Sequence, residues 1–96
     1  MSGPLDGVRV VDFSSVLMGP YSTQILGDLG ADVVKVEPPE GDVTRMLWPF
    51  RNRGMGHMFM HANRNKRSVA LDLKRPEALS AAIALIKGAD VLVYNI

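Results

Sequence analysis

Apolar residues follow two patterns along this chain, one typical of a helix and one typical of a buried strand. The segment from residue 19 to residue 45 contains both. Its first part spaces apolar side chains three or four positions apart, which predicts a helix of about three turns. Those side chains are Tyr21, Ile25, Leu26 and Leu29. Pro20 suits the first helical position, and Gly30 suits the position after the helix, because glycine adopts a left-handed backbone without strain. The valine-rich residues 33–36 predict a short buried strand, which Pro38 and Pro39 end.

The same two patterns recur on either side of this segment. Further strands are predicted at residues 8–13, 68–73 and 90–95. A helix is predicted from residue 75 to residue 87, with Pro76 in its first turn and Gly88 after its end. Its apolar face comprises Leu79, Ala82, Ile83 and Ile86. Strands that alternate with helices predict an α/β fold, a Rossmann-like parallel sheet with flanking helices and right-handed crossovers.

Residues 41–65 fit neither pattern cleanly. Residues 42–45 predict the start of a short helix that ends by Trp48 and Pro49, and the glycine-containing residues 51–56 predict a loop. A second short helix is expected next, in a stretch that contains Met55, Met58, Phe59 and Met60. We expect these side chains to fill gaps in the core, and a methionine surface that faces a ligand is the alternative.

The composition is that of a globular protein and gives no sign of a nucleic-acid or membrane partner. Hydrophobic residues make up 47% of the chain, charged residues 22%, and the net charge is +1. No segment reaches the roughly 20 apolar residues that span a bilayer, and the first residues lack the pattern of a signal peptide. The absence of cysteine excludes disulfides and thiolate chemistry. We therefore expect a cytoplasmic protein.

The 96 residues allow at most one small domain, and we expect that domain to be incomplete. The chain ends at Ile96, directly after a predicted strand that a Rossmann-like sheet would place near its centre. Ligands of such sheets bind beyond the carboxyl ends of the strands, and the loop expected there is missing. Residues 1–96 are therefore interpreted as the first segment of a larger domain.

The turn between the first strand and the first helix, residues 14–20, is a candidate ligand site. It leads into a helix N-terminus, whose free N–H groups and positive dipole end attract phosphate or carboxylate. Glu37 ends the second strand, where a dinucleotide-binding domain keeps the acid that binds ribose. The glycine fingerprint of such domains, G-x-G-x-x-G, is absent, which disfavours a nicotinamide cofactor. From these residues alone, an anion site and a helix start without a ligand are equally open.

Basic residues cluster around the predicted third strand. Arg64, Lys66 and Arg67 precede it, and Lys74 and Arg75 follow it. Such a cluster is most often a solvated rim. The alternative is a phosphate site, in which arginine pairs through two hydrogen bonds and lysine acts as a point charge. Lys74 is the strongest candidate, because it is predicted at the carboxyl edge of the sheet, beside the N-terminus of the first helix.

The remaining titratable side chains suggest no catalytic site. His57 and His61 could share a helix face, but such a pair without a glutamate or a third ligand is a poor zinc signal. Several carboxylates are better explained as strand ends and helix caps than as a catalytic pair. They are Asp12, Asp28, Asp32 and Glu37. Because no Ser–His–Asp or Cys–His set can be assembled, we assign no catalytic residue and no metal ligand.

Three motifs, in this order, resemble the N-terminus of class III coenzyme A transferases, the carnitine dehydratase and bile-acid-inducible type. They are PLDGVRVVDFSSVLMGPYSTQILGDLGADVVKVEPPEGDVTR, NRNKRSVALDLK and ADVLVYN. The resemblance implies a Rossmann-like large domain, of which this chain is the N-terminal segment. It also implies an interlocked homodimer in the full-length protein, or association with a chain that supplies the missing part.

The reaction implied by the resemblance is transfer of coenzyme A from an acyl-CoA to a carboxylic acid. The nucleophilic aspartate of such enzymes lies well beyond residue 96, so this chain alone is expected to be inactive. Coenzyme A and its thioesters are substrates, and no covalently bound cofactor is implied. The alternatives are part of an α-methylacyl-CoA racemase, a stand-alone nucleotide-binding or CoA-binding module, and a segment that only docks with other chains.

The resemblance also implies a set of CoA-binding residues. Val16 and Leu17 match the turn that touches the nucleotide, and Asn95 matches an asparagine near the pantetheine or the phosphates. The stretch beside the adenine and the ribose phosphate corresponds to Leu71, Asp72, Leu73 and Lys74. Pro38 is a departure, since the family often has a phosphate-binding arginine there. Leu17 is another, because oxalate-specific members have glutamine at that position.

Overall fold

Short valine-rich runs form a four-stranded sheet in the computed structural model, which describes residues 3–95. The strands are β1 (Arg9–Asp12), β2 (Asp32–Glu37), β3 (Lys66–Ala70) and β4 (Val91–Val93). All neighbouring strands are parallel, in the order β3-β2-β1-β4. The helices are α1 (Met18–Asp28), α2 (His57–Ala62) and α3 (Pro76–Lys87), with a 3-10 helix at Val43–Met46. The predicted α/β fold, a Rossmann-like parallel sheet with helices, is confirmed.

The direction in which strands are added to the sheet reverses at β1. The chain first builds outward from β1 through β2 to β3, and α3 then returns it to the other side of β1, where β4 pairs. In open parallel sheets, such a switch point leaves a crevice at the carboxyl ends of the strands, and ligands bind there. The segments that follow the four strands at this edge are therefore the place to look for a site.

The centre of the sheet is formed by β1 and β2, whose valines supply the core. Val10 and Val33 lie opposite each other in the register and are 0% and 1% exposed. Together with Ala31, they pack against the partly buried Leu26 of α1. Burial on both faces explains why these strands are almost continuously apolar, as is usual for parallel strands.

The third strand differs from the prediction of residues 68–73. It begins earlier, because the cations Lys66 and Arg67 find carboxylate partners and can occupy strand positions. It also ends earlier, because Asp72 turns the chain by accepting a hydrogen bond from the Lys74 N–H, with an N···O distance of 3.1 Å. The stretch that follows β3 is therefore a loop at the carboxyl edge and not the end of a strand.

The first and fourth strands are shorter than the predicted residues 8–13 and 90–95. Tyr94 and Asn95 follow β4 without strand pairing, and Ile96 lies outside the described residues. Within residues 3–95, β4 pairs only with β1 and lies at one edge of the four-stranded sheet.

Helix α1 is confirmed, with its start two residues before the predicted Pro20. Met18 is its first residue, so Pro20 is the third. Proline is tolerated there because the first N–H groups of a helix have no partner within the helix. Gly30 follows the helix with a φ of 106°, which confirms the predicted left-handed glycine.

The predicted apolar stripe of α1 faces the sheet only at Leu26, which packs against the core. Its outward side chains are Tyr21, Ile25 and Leu29, which are 51%, 42% and 41% exposed. The buried residues of the helix are Pro20, Thr23, Gln24 and Gly27. Thr23 orients this face inward, because its hydroxyl donates a 2.6 Å hydrogen bond to the Asp12 carboxylate of β1. Gly27 permits close approach, since a Cβ there would lie 3.2 Å from the Asn65 carbonyl oxygen.

The two later helices agree with the sequence pattern only in part. The predicted apolar face of α3 lines a cavity of about 230 Å³ beside β4, yet only Ala82 of that helix is fully buried. In α2, Met58 and Phe59 are half-buried, whereas Met60 and the preceding Met55 are exposed. The expectation that this stretch fills the core therefore holds for Met58 and Phe59 and is wrong for the other two methionines.

Candidate functional site

A cleft of about 780 Å³ opens at the carboxyl edge of the sheet, beyond β1, β2 and β3. Its walls are residues 13–15 after β1, residues 38–43 after β2 and residues 71–74 after β3. The third wall consists of four predicted CoA-binding residues, Leu71, Asp72, Leu73 and Lys74. Val16 and Leu17 continue the chain beyond the first wall, and both side chains are exposed. The topology thus brings the two predicted groups to one edge of the sheet.

Lys74 is a lysine of this cleft whose charge is available to a ligand. Its side chain is exposed, and it forms no ion pair with the residues that the structure describes. Lys35, which also lines the cleft, is 1% exposed and pairs with Asp42, with an Nζ···Oδ2 distance of 3.0 Å. Lys74 therefore has the position and the free charge that a phosphate contact requires.

Asn95 holds the β1–α1 turn, which we define as residues 14–17. Its amide oxygen accepts a hydrogen bond from the Ser15 N–H at 3.0 Å, and its amide nitrogen donates to the Ser15 carbonyl at 2.9 Å. Both polar ends of the Asn95 side chain therefore bind one backbone residue. The structure thus places the Asn95 side chain on Ser15, next to Val16 in the chain, and Asn95 does not line the cleft.

A buried ion pair contacts the backbone of the β1–α1 turn. Val16 has a φ of 71°, a left-handed conformation that costs a β-branched residue about 1–3 kcal/mol. Its N–H donates to Asp42 Oδ2 at 3.3 Å, and the same oxygen pairs with Lys35. Lys35 also donates to the Ser14 carbonyl at 2.9 Å. Asp42 in turn caps the 3-10 helix, because its Oδ1 accepts the Thr44 N–H.

Glu37 lies where a dinucleotide-binding domain keeps its ribose-binding acid, but its carboxylate is hydrogen-bonded to other residues of the protein. Arg45 Nε and Nη2 donate to its two carboxylate oxygens at 2.7 Å each. The Asp42 N–H and the Ser68 hydroxyl donate to the same carboxylate. Burial by itself raises the pKa of Glu37, but these hydrogen bonds outweigh burial and lower the pKa from 4.5 to about 2. The carboxylate is therefore committed to Arg45, which argues further against a nicotinamide site.

Lys66 has a structural role that the sequence pattern did not reveal. Its side chain is 2% exposed, and its Nζ lies 3.0 Å from Asp12 Oδ2 and 2.9 Å from the Pro20 carbonyl. Burial lowers the pKa of Lys66, and the Asp12 charge opposes that effect. Burial raises the pKa of Asp12, but hydrogen bonds from Ser14 and Thr23 and the charge of Lys66 hold it below its usual value. Lys66 therefore joins β3 to β1 and α1.

Two further cations of the predicted basic cluster are also paired. Arg64 contacts Asp28, and Arg67 contacts Asp32, each with a shortest N···O distance of 2.8 Å. Both pairs are exposed and lie at the amino edge of the sheet, away from the cleft. Asp28 is the last residue of α1 and Asp32 is the first residue of β2, so both carboxylates lie at the ends of secondary-structure elements, and neither caps a helix N-terminus.

The two histidines lie on α2, and both are exposed. Within residues 3–95, no cluster of three or more histidine, cysteine, aspartate or glutamate side chains is arranged to hold a metal ion. None of the helices in the described part of the chain has the length and apolar character needed to cross a membrane.

Comparison with known proteins identifies the family of this chain. The sequence model described as CoA-transferase family III matches residues 5–96. The chain belongs to CoA-transferase family III. It is 48% identical to succinyl-CoA:mesaconate CoA-transferase of Haloarcula hispanica, over 97% of this chain and 24% of that protein. It is 47% identical to formyl-CoA:oxalate CoA-transferase of Rhodopseudomonas palustris, over 99% of this chain and 23% of that protein.

Solved structures of family III relatives share the fold. The crystal structure of a CaiB/BaiF family protein from Brucella suis matches with a TM-score of 0.94 and 41% identity, over all of this chain and 26% of that one. This family III chain thus spans about a quarter of the length of the curated relatives it matches. The resemblance inferred from the three motifs is confirmed.

The residues that sequence reasoning missed in this family III chain are the buried partners of the β1–α1 turn, Lys35 and Asp42. A signal for them was present. A lysine inside a valine-rich strand needs a partner, because a buried unpaired charge is very costly. Asp42 follows that strand closely and is the partner that the structure supplies.

Proposed function

We propose that this chain is the N-terminal coenzyme A-binding part of an enzyme that transfers coenzyme A from an acyl-CoA to a carboxylic acid. The observation that supports this best is the exposed, unpaired Lys74 on a cleft at the carboxyl edge of the sheet. The proposed reaction is also of the kind named for the two curated relatives, both of which are CoA-transferases.

In this proposal, Lys74 binds a phosphate group of coenzyme A as a point charge. The loop of residues 71–74 borders the adenine and the ribose phosphate, and Asp72 orients it by accepting the Lys74 N–H. Val16 and Leu17, which follow the cleft wall of residues 13–15 and do not line the cleft themselves, offer exposed apolar side chains to the nucleotide. Asn95 acts through the turn, because both polar atoms of its side chain are bonded to Ser15.

The proposal assigns no nucleophile to these 96 residues. The full-length enzyme would use an aspartate outside them, would act as an interlocked homodimer in the cytoplasm, and would bind coenzyme A as a substrate rather than as a covalent cofactor. The chain by itself should therefore catalyse no measurable transfer between an acyl-CoA and a carboxylic acid. Measurable transfer by the purified chain would contradict this part of the proposal.

Calorimetric titration of the chain with coenzyme A tests the binding role. We expect saturable binding that Lys74→Ala weakens by about 10- to 150-fold, since a hydrogen bond to a charged group contributes about 1.5–3 kcal/mol. The matched control is Lys87→Ala, which removes an exposed lysine at the far end of α3 and should leave the affinity unchanged.

Two results would contradict the proposal. One is a chain that is folded by circular dichroism and does not bind coenzyme A. The other is an equal loss of affinity in both lysine variants, which would mean that only general positive charge attracts the ligand.

A further inference from the structure

We propose that the buried Lys35–Asp42 ion pair positions the β1–α1 turn for coenzyme A binding, so that these are positioning residues of the site. The inference rests on the proposed function, because it assigns the turn a ligand. It concerns two side chains that border the cleft, are each 1% exposed, and bond the backbone of the turn.

The contacts of Lys35 run toward the turn. Its Nζ lies between the Ser14 carbonyl at 2.9 Å and Asp42 Oδ2 at 3.0 Å. Asp42 Oδ2 also accepts the Val16 N–H at 3.3 Å. The pair therefore holds the turn at two backbone positions, two residues apart, from the side that faces β2.

The backbone of the turn needs such support. A valine with a φ of 71° is in a conformation that β-branched residues avoid, and it persists only where the surroundings enforce it. Asn95 fixes the neighbouring Ser15 from the β4 side, through one accepted and one donated hydrogen bond. Hydrogen bonds from the β2 side and from the β4 side thus hold the backbone on which the exposed Val16 side chain is carried, at the edge where the cleft opens.

A lysine in β2 is hard to explain by packing alone. Its neighbours in the strand are valines that fill the core, and replacing a buried ion pair by apolar residues is often neutral or stabilising. Charge at this position therefore has a use beyond stability. The geometry of its contacts identifies that use as holding the turn.

The test compares the single variant Lys35→Met with the double variant Lys35→Met/Asp42→Asn in the full chain. The single variant leaves an unpaired buried carboxylate and should lose stability, whereas the double variant removes both charges and should regain most of it. In the double variant, Ser14 loses its donor, and an amide group replaces the carboxylate that serves both Val16 and Thr44.

We expect the double variant to bind coenzyme A about tenfold more weakly than the wild type, even though its stability is restored, because the Ser14 carbonyl loses its donor and position 42 keeps one acceptor oxygen in place of two. Amide hydrogen exchange of Val16 should be faster in it. The control Arg67→Met/Asp32→Asn removes an exposed pair at the amino edge and should change neither measurement.

Recovery of wild-type affinity together with stability would overturn the inference, since the pair would then serve folding alone. Unchanged exchange at Val16 would overturn it as well, and this readout needs no ligand. If the wild-type chain is folded and fails to bind coenzyme A, the proposed function fails instead, and the exchange result still decides whether the pair holds the turn.

Discussion

Individual charged residues at the ends of strands shape the carboxyl edge of this sheet. Asp12 ends β1, Glu37 ends β2, and each is buried with a cation. The cation of Glu37 is Arg45, which also places its guanidinium 3.8 Å from the centre of the Phe59 ring. One carboxylate thereby connects β2, the loop after it and α2.

At the residue scale, lowering the pH should destabilise the fold by protonating Glu37. Its pKa in the folded chain, about 2, lies below the ordinary value of 4.5. The carboxylate therefore stabilises the fold above pH ~4.5, and this stabilisation is lost as the pH falls toward ~2. We expect Glu37→Gln to be less stable than the wild type at pH 7, by on the order of 3 kcal/mol.

Urea unfolding at several pH values measures this effect. The difference in unfolding free energy between wild type and Glu37→Gln should shrink as the pH falls through the same window. A difference that stays constant from pH 7 down to pH 2 would show that the carboxylate charge does not stabilise the fold.

Among the secondary-structure elements, α1 differs most from its sequence pattern. A helix with apolar residues at regular spacing normally buries them, yet α1 turns Thr23, Gln24 and Gly27 toward the sheet. The hydroxyl bond from Thr23 to the buried Asp12 fixes this orientation. A polar contact between elements has therefore outweighed the apolar stripe.

Two substitutions in α1 test its orientation. Thr23→Val keeps the shape of the side chain but removes a hydrogen bond to a buried carboxylate, and should cost about 1.5–3 kcal/mol of unfolding free energy. Ile25→Thr changes an outward side chain and should stay within about 0.5 kcal/mol. Chemical denaturation compares the two, and a larger loss for Ile25→Thr would mean that the helix buries its apolar stripe after all.

The elements that were predicted from sequence are those set by local rules. The valine runs correctly predicted the central strands, and Gly30 correctly predicted the end of α1, because both features depend on local backbone preferences. The start of β3 was missed, because it depends on Lys66 meeting Asp12, which lies 54 residues earlier in the chain. No local pattern identifies such a partner.

At the scale of the whole described fold, the topology brings distant segments of the chain together around one cleft. Strand order places the turn after β1 and the loop after β3 on opposite sides of one cleft, although about 55 residues separate them in the chain. Lys74 was predicted at this edge because it follows a strand, and the structure supports that position. The place of Lys35 in a valine-rich strand signalled a buried partner, but its contact with the turn and the role of Asn95 depend on residues that are distant in the chain.

The central claim is that coenzyme A binds at the carboxyl edge of this sheet, and an NMR titration of the isotope-labelled chain with coenzyme A tests it most directly. We predict that the amide signals of Ser15, Val16 and residues 71–74 shift with a common saturation curve. The amides of Asp28 and Arg64, at the opposite edge, should not move. Shifts confined to that opposite edge, or none from a folded chain, would contradict the account.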